Sequence, residues 1–335
     1  MEVYRKLSEI PIHDDSIVTI GIFDGCHRGH QDIIKKVVYN AKITSCKSVL
    51  ITFDPHPRHI LNSDNKLPIL MHIEKKLEFL HSFNLDAALI IPFDTSFSKI
   101  SALDFLNDII LKKLNPSKII IGYDHHFGHD RLGTPEFLKN ESKKNDFEVH
   151  VVDPIADRDM VISSTHIRES ILNGFVRRAS FELGWVYGFK AKVVSGSGRG
   201  KDLGFPTANF IPLEKNQLIP ANGVYCIRGR INSINLYGMC NLGVRPTFDE
   251  SDFVMEAHFF ENNVDDIYGK TITVEFLERV RDEKKFSNPE ELIEQLSPQH
   301  EPGVRKWFIA PPSESWTPKE GRYSVNISWT YELDK

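Results

Sequence analysis

The first half of the chain alternates two hydrophobic rhythms. Short, nearly unbroken apolar runs at 16–23, 48–53, 87–92, 118–121 and 147–152 predict strands buried on both faces. Between them, apolar residues spaced three and four apart predict helices over 30–41, 73–83, 102–114 and 135–144. In the first of these, Ile33, Ile34, Val37 and Val38 form the apolar stripe. Alternating strands and helices imply a parallel sheet covered on both faces, and right-handed crossovers make it a Rossmann-like doubly wound α/β layer.

After about residue 185 the rhythm shortens. The segments 189–194, 224–229, 236–242, 253–260 and 271–277 are rich in β-branched and aromatic residues and are separated by Gly, Asn and Pro. That is the pattern of a small antiparallel barrel or sandwich. The next helix is expected only at 288–296, and the two textures meet in 174–184, read as a helical joint. A length of 335 residues also exceeds what one core usually organises. Two domains are expected, 1–184 and 185–296, followed by a tail over 297–335.

Composition narrows the class. With 41% hydrophobic and 26% charged residues the chain can build ordinary cores. A net charge of −5 gives no basic surface for nucleic acid or anionic membrane. The four cysteines, Cys26, Cys46, Cys226 and Cys240, are scattered without a CxxC pair, which suits a reducing compartment. The N-terminus MEVYRKLSEIP lacks an apolar leader, and no apolar run approaches the ~20 residues of a membrane span. A soluble, cytoplasmic protein is expected.

Two glycine-rich segments carry candidate chemistry. The first strand runs into GIFDGCHRGH at 21–30 and then into a helix. Such a turn aims backbone N–H groups and the positive end of the helix dipole at one spot, which favours phosphate. Gly21, Gly25 and Gly29 let the backbone approach closely. His27 and His30, three apart, share a face and can donate hydrogen bonds to phosphoryl oxygens as charge builds. Nucleotidyl transfer needs in-line positioning and charge stabilisation more than a protein nucleophile. Further on, ISSTHIR at 162–168 places Ser163, Ser164 and Thr165 at a helix start, where capping is the simplest role, and Arg168 a turn later, where its fork suits a triphosphate.

The second segment, SGSGRGKDLGFPTAN at 195–209, offers Gly198, Gly200 and Gly204 with Lys201 as a loop to fold over phosphates. It departs from the Walker pattern and no helix follows it, so a P-loop is not expected. Thr207 and Asn209 alternate on a strand and present two oxygens on one face, a set suited to magnesium carried by ATP. Glu256 interrupts an apolar strand. It either faces solvent or projects into a barrel mouth as the base for an attacking hydroxyl.

GxFDGxHxGH followed by ISSTxIR resembles the FMN adenylyltransferase module of the bifunctional FAD synthetases, within the HxGH nucleotidylyltransferases. The resemblance extends to the loops TFDPHP at 52–57 and GYDHHFG at 122–128. It implies that His27 and His30 contact the ATP phosphates, that Phe23 and Asp24 belong to the nucleotide loop, and that Asp124 and Arg168 help hold nucleotide. It also implies that Phe53, Pro55, His56 and Pro57 line the flavin side. The family loop more often reads Phe-Arg-Phe-Gly, and here His126 stands at the arginine position. A rival reading of that loop is a transition-metal site built from Asp124, His125, His126, His129 and Asp130.

From residue 185 to 296, GRGxxLGFPTAN, NGVY at 222–225, NLGxRPTF at 241–248, ExHxF from Glu256, YGK at 268–270 and RxRxExxF at 279–286 resemble riboflavin kinase in order and spacing. That resemblance implies a six-stranded antiparallel barrel with a C-terminal helix. It assigns Thr207 and Asn209 to MgATP, Glu256 to general base on the riboflavin 5′-hydroxyl, and Arg281 to the flavin or its new phosphate. The expected activity is therefore ATP-dependent formation of FMN and then FAD, with ATP, riboflavin and FMN as small-molecule partners. Flavins enter as substrate and product rather than as a prosthetic group. The alternatives are one working head beside a vestigial one, a non-catalytic flavin-binding regulator, or an HxGH transferase of another substrate.

Overall fold

The computed structural model describes residues 1–10, 15–62, 67–129, 131–194, 207–231, 234–246, 251–260 and 267–283. Six strands form one sheet: β1 (Glu2–Tyr4), β2 (Ser16–Ile20), β3 (Lys47–Asp54), β4 (Ala87–Pro92), β5 (Pro116–Gly122) and β6 (Glu148–Val152). Their order is β1-β4-β3-β2-β5-β6, and every neighbouring pair is parallel. Alternate side chains of these strands enter two different cores. Val18 and Ile20 join Val49, Ile51, Leu89, Ile119 and Ile121 on one face. Ile17 joins Leu50, Ile120 and Val152 on the other.

Helices cover both faces. α1 (Arg28–Thr44) buries Ile34, Val37 and Ala41, and α3 (Ile73–His81) buries Leu80, in the same core as Ile17. On the opposite face the expected helix over 102–114 is present in three pieces. α4 (Ala102–Asp104) leads into a π-helical Phe105–Leu111 and then α5 (Lys112–Leu114). Its apolar Phe105, Leu106, Ile109 and Ile110 pack with Leu138 of α6 (Pro135–Ser142). Burying each such side chain is worth ~1.5–3 kcal/mol, so the doubly wound layer follows from the pattern itself.

β2 is the switch point, with β3 on one side and β5 on the other. The loops leaving the C-terminal ends of β2 and β5 therefore open into the same crevice, where such sheets bind ligands.

After the short pair β7 (Ala156–Asp157) and β8 (Met160–Val161), the second module is a closed barrel of β9 (Gly188–Val194), β10 (Ala208–Pro212), β11 (Gly223–Ile231), β12 (Ile234–Pro246), β13 (Ser251–Phe259) and β14 (Thr271–Arg281). The order is β10-β13-β12-β11-β14-β9, all pairs antiparallel, and pairing of Asn209 with Val194 and Phe210 with Val193 closes the ring. The choice between barrel and sandwich is thus settled by β10, whose short run follows the glycine-rich segment.

Between the modules, α7 (Ser164–Leu172) and α8 (Val176–Leu183) form the helical joint. Ile167, Ile171, Ala179 and Leu183 share one core with the barrel's Phe189, Tyr225 and Phe276. Gly184 ends α8 at φ 75°, returning its N–H to the Ser180 carbonyl, a backbone state that favours glycine. Further bonds cross the joint. Trp185 Nε1 donates to the Gly25 carbonyl at 2.9 Å, and Lys75 Nζ to that of Gly188 at 2.6 Å. The helix expected at 288–296 and the tail over 297–335 lie outside the described residues.

Candidate active sites

The loop after β2 is held in an unusual backbone path. Phe23 and Cys26 take left-handed conformations at φ 50° and 40°, and Gly25 sits at φ 78°. A Cβ on Gly25 would lie 2.9 Å from Leu70 Cδ1, so the position demands glycine on two grounds. His27 ends this path as the N-cap of α1, its Nδ1 accepting from the His30 N–H at 3.4 Å. That bond fixes the tautomer and leaves the proton on Nε2. The His27 and His30 rings stack with centroids 3.6 Å apart, and Phe23 meets His30 edge-on at 5.2 Å. Burial drives the His27 imidazole down to about 4, and burial with the neighbouring His27 and Lys76 drives His30 well below its usual range. Both rings are neutral at pH 7, and His30 Nδ1 is buried with no partner among the described residues.

Asp24 faces inward. Its carboxylate accepts the backbone N–H groups of Met71 at 3.0 Å and Leu70 at 3.3 Å and pairs with the Arg168 guanidinium, both side chains being almost fully buried. Arg168 Nε donates to the Pro68 carbonyl at 2.8 Å. Two of the Arg168 nitrogens are therefore engaged beneath the loop rather than free in the crevice. Ser163 caps α7 by accepting the His166 N–H, the simplest role available to it. Ser164 Oγ donates to the Asp24 carbonyl at 2.9 Å, and Thr165 is exposed. The two motifs, at opposite ends of the module's sequence, thus form one site.

On its flanks, Asp124 stands exposed just past β5. His125 is driven down to about 4 by burial and then by His126. No group of three or more metal-ligating side chains converges among the described residues, and Asp130 lies outside them. On the β3 side, the Asp54–Pro55 peptide is cis, and His56 caps α2 (Pro57–Leu61) through Nδ1, accepting from Arg58 N at 3.1 Å. The Phe53 ring lies within 5.8–6.3 Å of Phe93, Phe97 and Phe105, an aromatic wall.

In the barrel, Asn209 and Glu256 are register partners on β10 and β13. Thr207 Oγ1 donates to Glu256 Oε1 at 2.7 Å. The Asn209 side-chain oxygen is buried without a partner among the described residues. The thiol of Cys240 is raised by burial and, second, by Glu256, which places that carboxylate close to buried barrel wall. Arg281 closes β14, donating from Nη1 to the Asp282 carbonyl at 3.2 Å. Gly198, Gly200, Lys201 and Gly204 lie outside the described residues.

Two contributors escaped the sequence reading. Tyr268 donates from its hydroxyl to the Thr207 carbonyl at 2.9 Å, and its signal is the YGK motif itself. Lys76 is buried under the first loop. Its signal is a lysine on the apolar stripe of α3, one turn before Leu80.

A glycine-rich loop at the sheet's switch point, joined to a barrel that brings a hydroxyl, an amide and a carboxylate together, marks a two-module transferase. Residues 9–166 match the family described as FAD synthetase, and residues 183–302 the family described as riboflavin kinase. The chain is 35% identical over 314 residues to the bifunctional riboflavin kinase/FMN adenylyltransferase of Buchnera aphidicola subsp. Schizaphis graminum, covering 92% of this chain and 99% of that one. With the protein of the same description from Bacillus subtilis it shares 30% identity over 294 residues, 87% and 92% of the two chains. A crystal structure from Streptococcus pneumoniae described as a macrolide-efflux protein superposes with a TM-score of 0.81 at 32% identity, over 91% of this chain and 98% of that one. The chain belongs to the bifunctional riboflavin kinase/FMN adenylyltransferase family. Among the described residues no helix is long and apolar enough to cross a membrane.

Proposed function

We propose that the chain performs two consecutive ATP-dependent transfers, riboflavin to FMN in the barrel module of 185–296 and FMN to FAD in the α/β module of 1–184. In the first, the riboflavin 5′-hydroxyl attacks the γ-phosphorus of ATP, its proton passes to Glu256, and ADP leaves. In the second, an FMN phosphate oxygen attacks the α-phosphorus of a second ATP and pyrophosphate leaves. The single observation that carries the reading is that one chain contains both a neutral, stacked His27–His30 pair at a strand-to-helix turn and a Thr207–Glu256 hydrogen bond on the barrel.

The geometry of the first loop supports these roles. Nε2–H of His27 is left free to donate to a phosphoryl oxygen, and a donor already in place costs no reorganisation in the transition state. Gly21, Gly25 and Gly29 keep the backbone near the triphosphate, with Phe23 supporting His30 from its edge. Asp24, Ser164 and Arg168 hold the loop from below, and Arg168 adds fixed positive charge there. Ser163, Thr165 and Asp124 border the nucleotide, and Phe53, Pro55, His56 and Pro57 border the flavin. In the barrel, Gly198, Gly200, Gly204 and Lys201 are assigned to the phosphates, and Arg281 to the flavin or its new phosphate, on their motifs alone.

The donor set fits Mg²⁺, which prefers oxygen ligands: the buried Asn209 Oδ1 lacks a partner among the described residues, and Thr207, with its hydroxyl, immediately precedes the same strand. Thr207 and Asn209 would hold the ion brought in with ATP, and the ion would neutralise charge on the transferring phosphoryl group. No nucleic acid or membrane partner is invoked.

The test is incubation of purified protein with riboflavin, magnesium and ATP, followed by chromatographic separation of the flavins. FMN and then FAD are expected, with ADP and pyrophosphate as co-products. A preparation that binds flavin yet consumes no ATP would instead be a sensor.

A further inference from the structure

α3 begins where the chain has just clasped Asp24 through the Leu70 and Met71 amides, and it grips the same loop a second time. Lys76 is 4% exposed, on the inward stripe of the helix with Leu80. Its ammonium donates to the Ile22 carbonyl at 2.7 Å and to Thr52 Oγ1 at 3.4 Å. Thr52 in turn donates to the same Ile22 carbonyl at 3.1 Å. Ile22 is the residue just before left-handed Phe23, so this triangle fixes the point at which the loop leaves β2 and turns toward His27 and His30.

The charge is as telling as the bonds. Lys76 has no carboxylate within ion-pair distance among the described residues, burial holds its ammonium below the usual lysine range, and its charged or titratable neighbours are Asp24 and Cys26 on the loop, Asp54 at the end of β3, His56 just beyond it and His30 on α1. A buried cation without a close counter-ion is expensive. A methionine would fill the same stripe without that cost. The cost is explicable if an anion arrives beside it.

We propose that Lys76 is a positioning residue of adenylyl transfer: its ammonium pins the Ile22 carbonyl, thereby setting the loop that presents His27 and His30, and supplies standing positive charge beneath the phosphate site. This assignment rests on the adenylyl-transfer reading of that loop. It gives the site a second cation besides Arg168, whose charge is paired with Asp24, from an element outside both motifs.

The test is Lys76→Met in the full chain, where riboflavin phosphorylation in the same preparation reports on folding. The kcat for FAD formation from FMN is expected to fall about a hundredfold, the cost of an ångström-scale misplacement. Riboflavin phosphorylation stays within about twofold, as for independent sites. In NMR titrations the His30 ring protonates at higher pH than in the parent, because a neighbouring like charge has gone. Parental FAD formation in the variant, parallel loss of both activities, or an unmoved His30 titration overturns the assignment. A parent that makes no FAD from FMN overturns the reading beneath it as well, and that result is distinct from an active parent matched by its variant.

Discussion

The Thr207 hydroxyl, one residue before β10, donates to Glu256 Oε1 on the adjoining β13 at 2.7 Å. That bond joins the residue assigned to the metal-bearing nucleotide with the residue assigned as base. A proton taken from the riboflavin hydroxyl would thus arrive next to the phosphate being transferred. Glu256→Gln keeps the shape and removes the basic oxygen. Riboflavin phosphorylation is expected to drop by about 10²–10⁴, the usual worth of a positioned base, while supplied FMN is still converted to FAD. Undiminished kinase turnover in that variant would remove Glu256 from the role.

Asp24 is a structural anchor as much as a member of the nucleotide loop. Removing its charge leaves Arg168 buried and unpaired, with the Leu70 and Met71 amides facing a poorer acceptor. Asp24→Asn is expected to cost about 3–5 kcal/mol in urea denaturation, with FAD formation failing before FMN formation as temperature rises. A loss under about 1 kcal/mol would mean that the pair is not held as described.

Several buried histidines make the protein acid-sensitive. His27, His56 and His125 are each pushed down to about 4, burial being the largest cause for all three. The unfolded chain, with imidazoles near 6.5, binds more protons than the native one between those values. Stability is therefore fully present above about pH 6.5 and is lost as pH falls toward 4, His27 alone contributing on the order of 3 kcal/mol. Urea midpoints measured from pH 7 to 4 should fall along this limb, and His27→Asn should flatten it. A flat profile would contradict neutral burial.

Much of this architecture is legible in the chain. Parallel strands buried on both faces are continuous apolar runs, so β2 to β6 and the helices between them follow from periodicity. β1, with three residues, and the two-residue strands Ala156–Asp157 and Met160–Val161 are too short to carry a period. The π-helical stretch Phe105–Leu111 keeps the same apolar face as an α-helix would and so leaves no distinct signal. Within the site, the His27 cap and the Ser163 cap are local and readable. The Asp24–Arg168 pair spans 144 residues and has no periodic signature. This is why Arg168 reads from sequence as a phosphate clamp, while the structure has two of its nitrogens occupied below the loop. Lys76 is the converse case, a charge in an apolar phase that a helix pattern records without explaining.

The claim that two independent centres share this chain is tested most directly by a time course with His30→Ala. Supplied with riboflavin and MgATP, the variant should accumulate FMN at close to the parental rate and stop there, with FAD formation down by about 10²–10³ for the lost transition-state donor. FAD appearing at the parental rate, or FMN and FAD formation falling together in a folded variant, would contradict it.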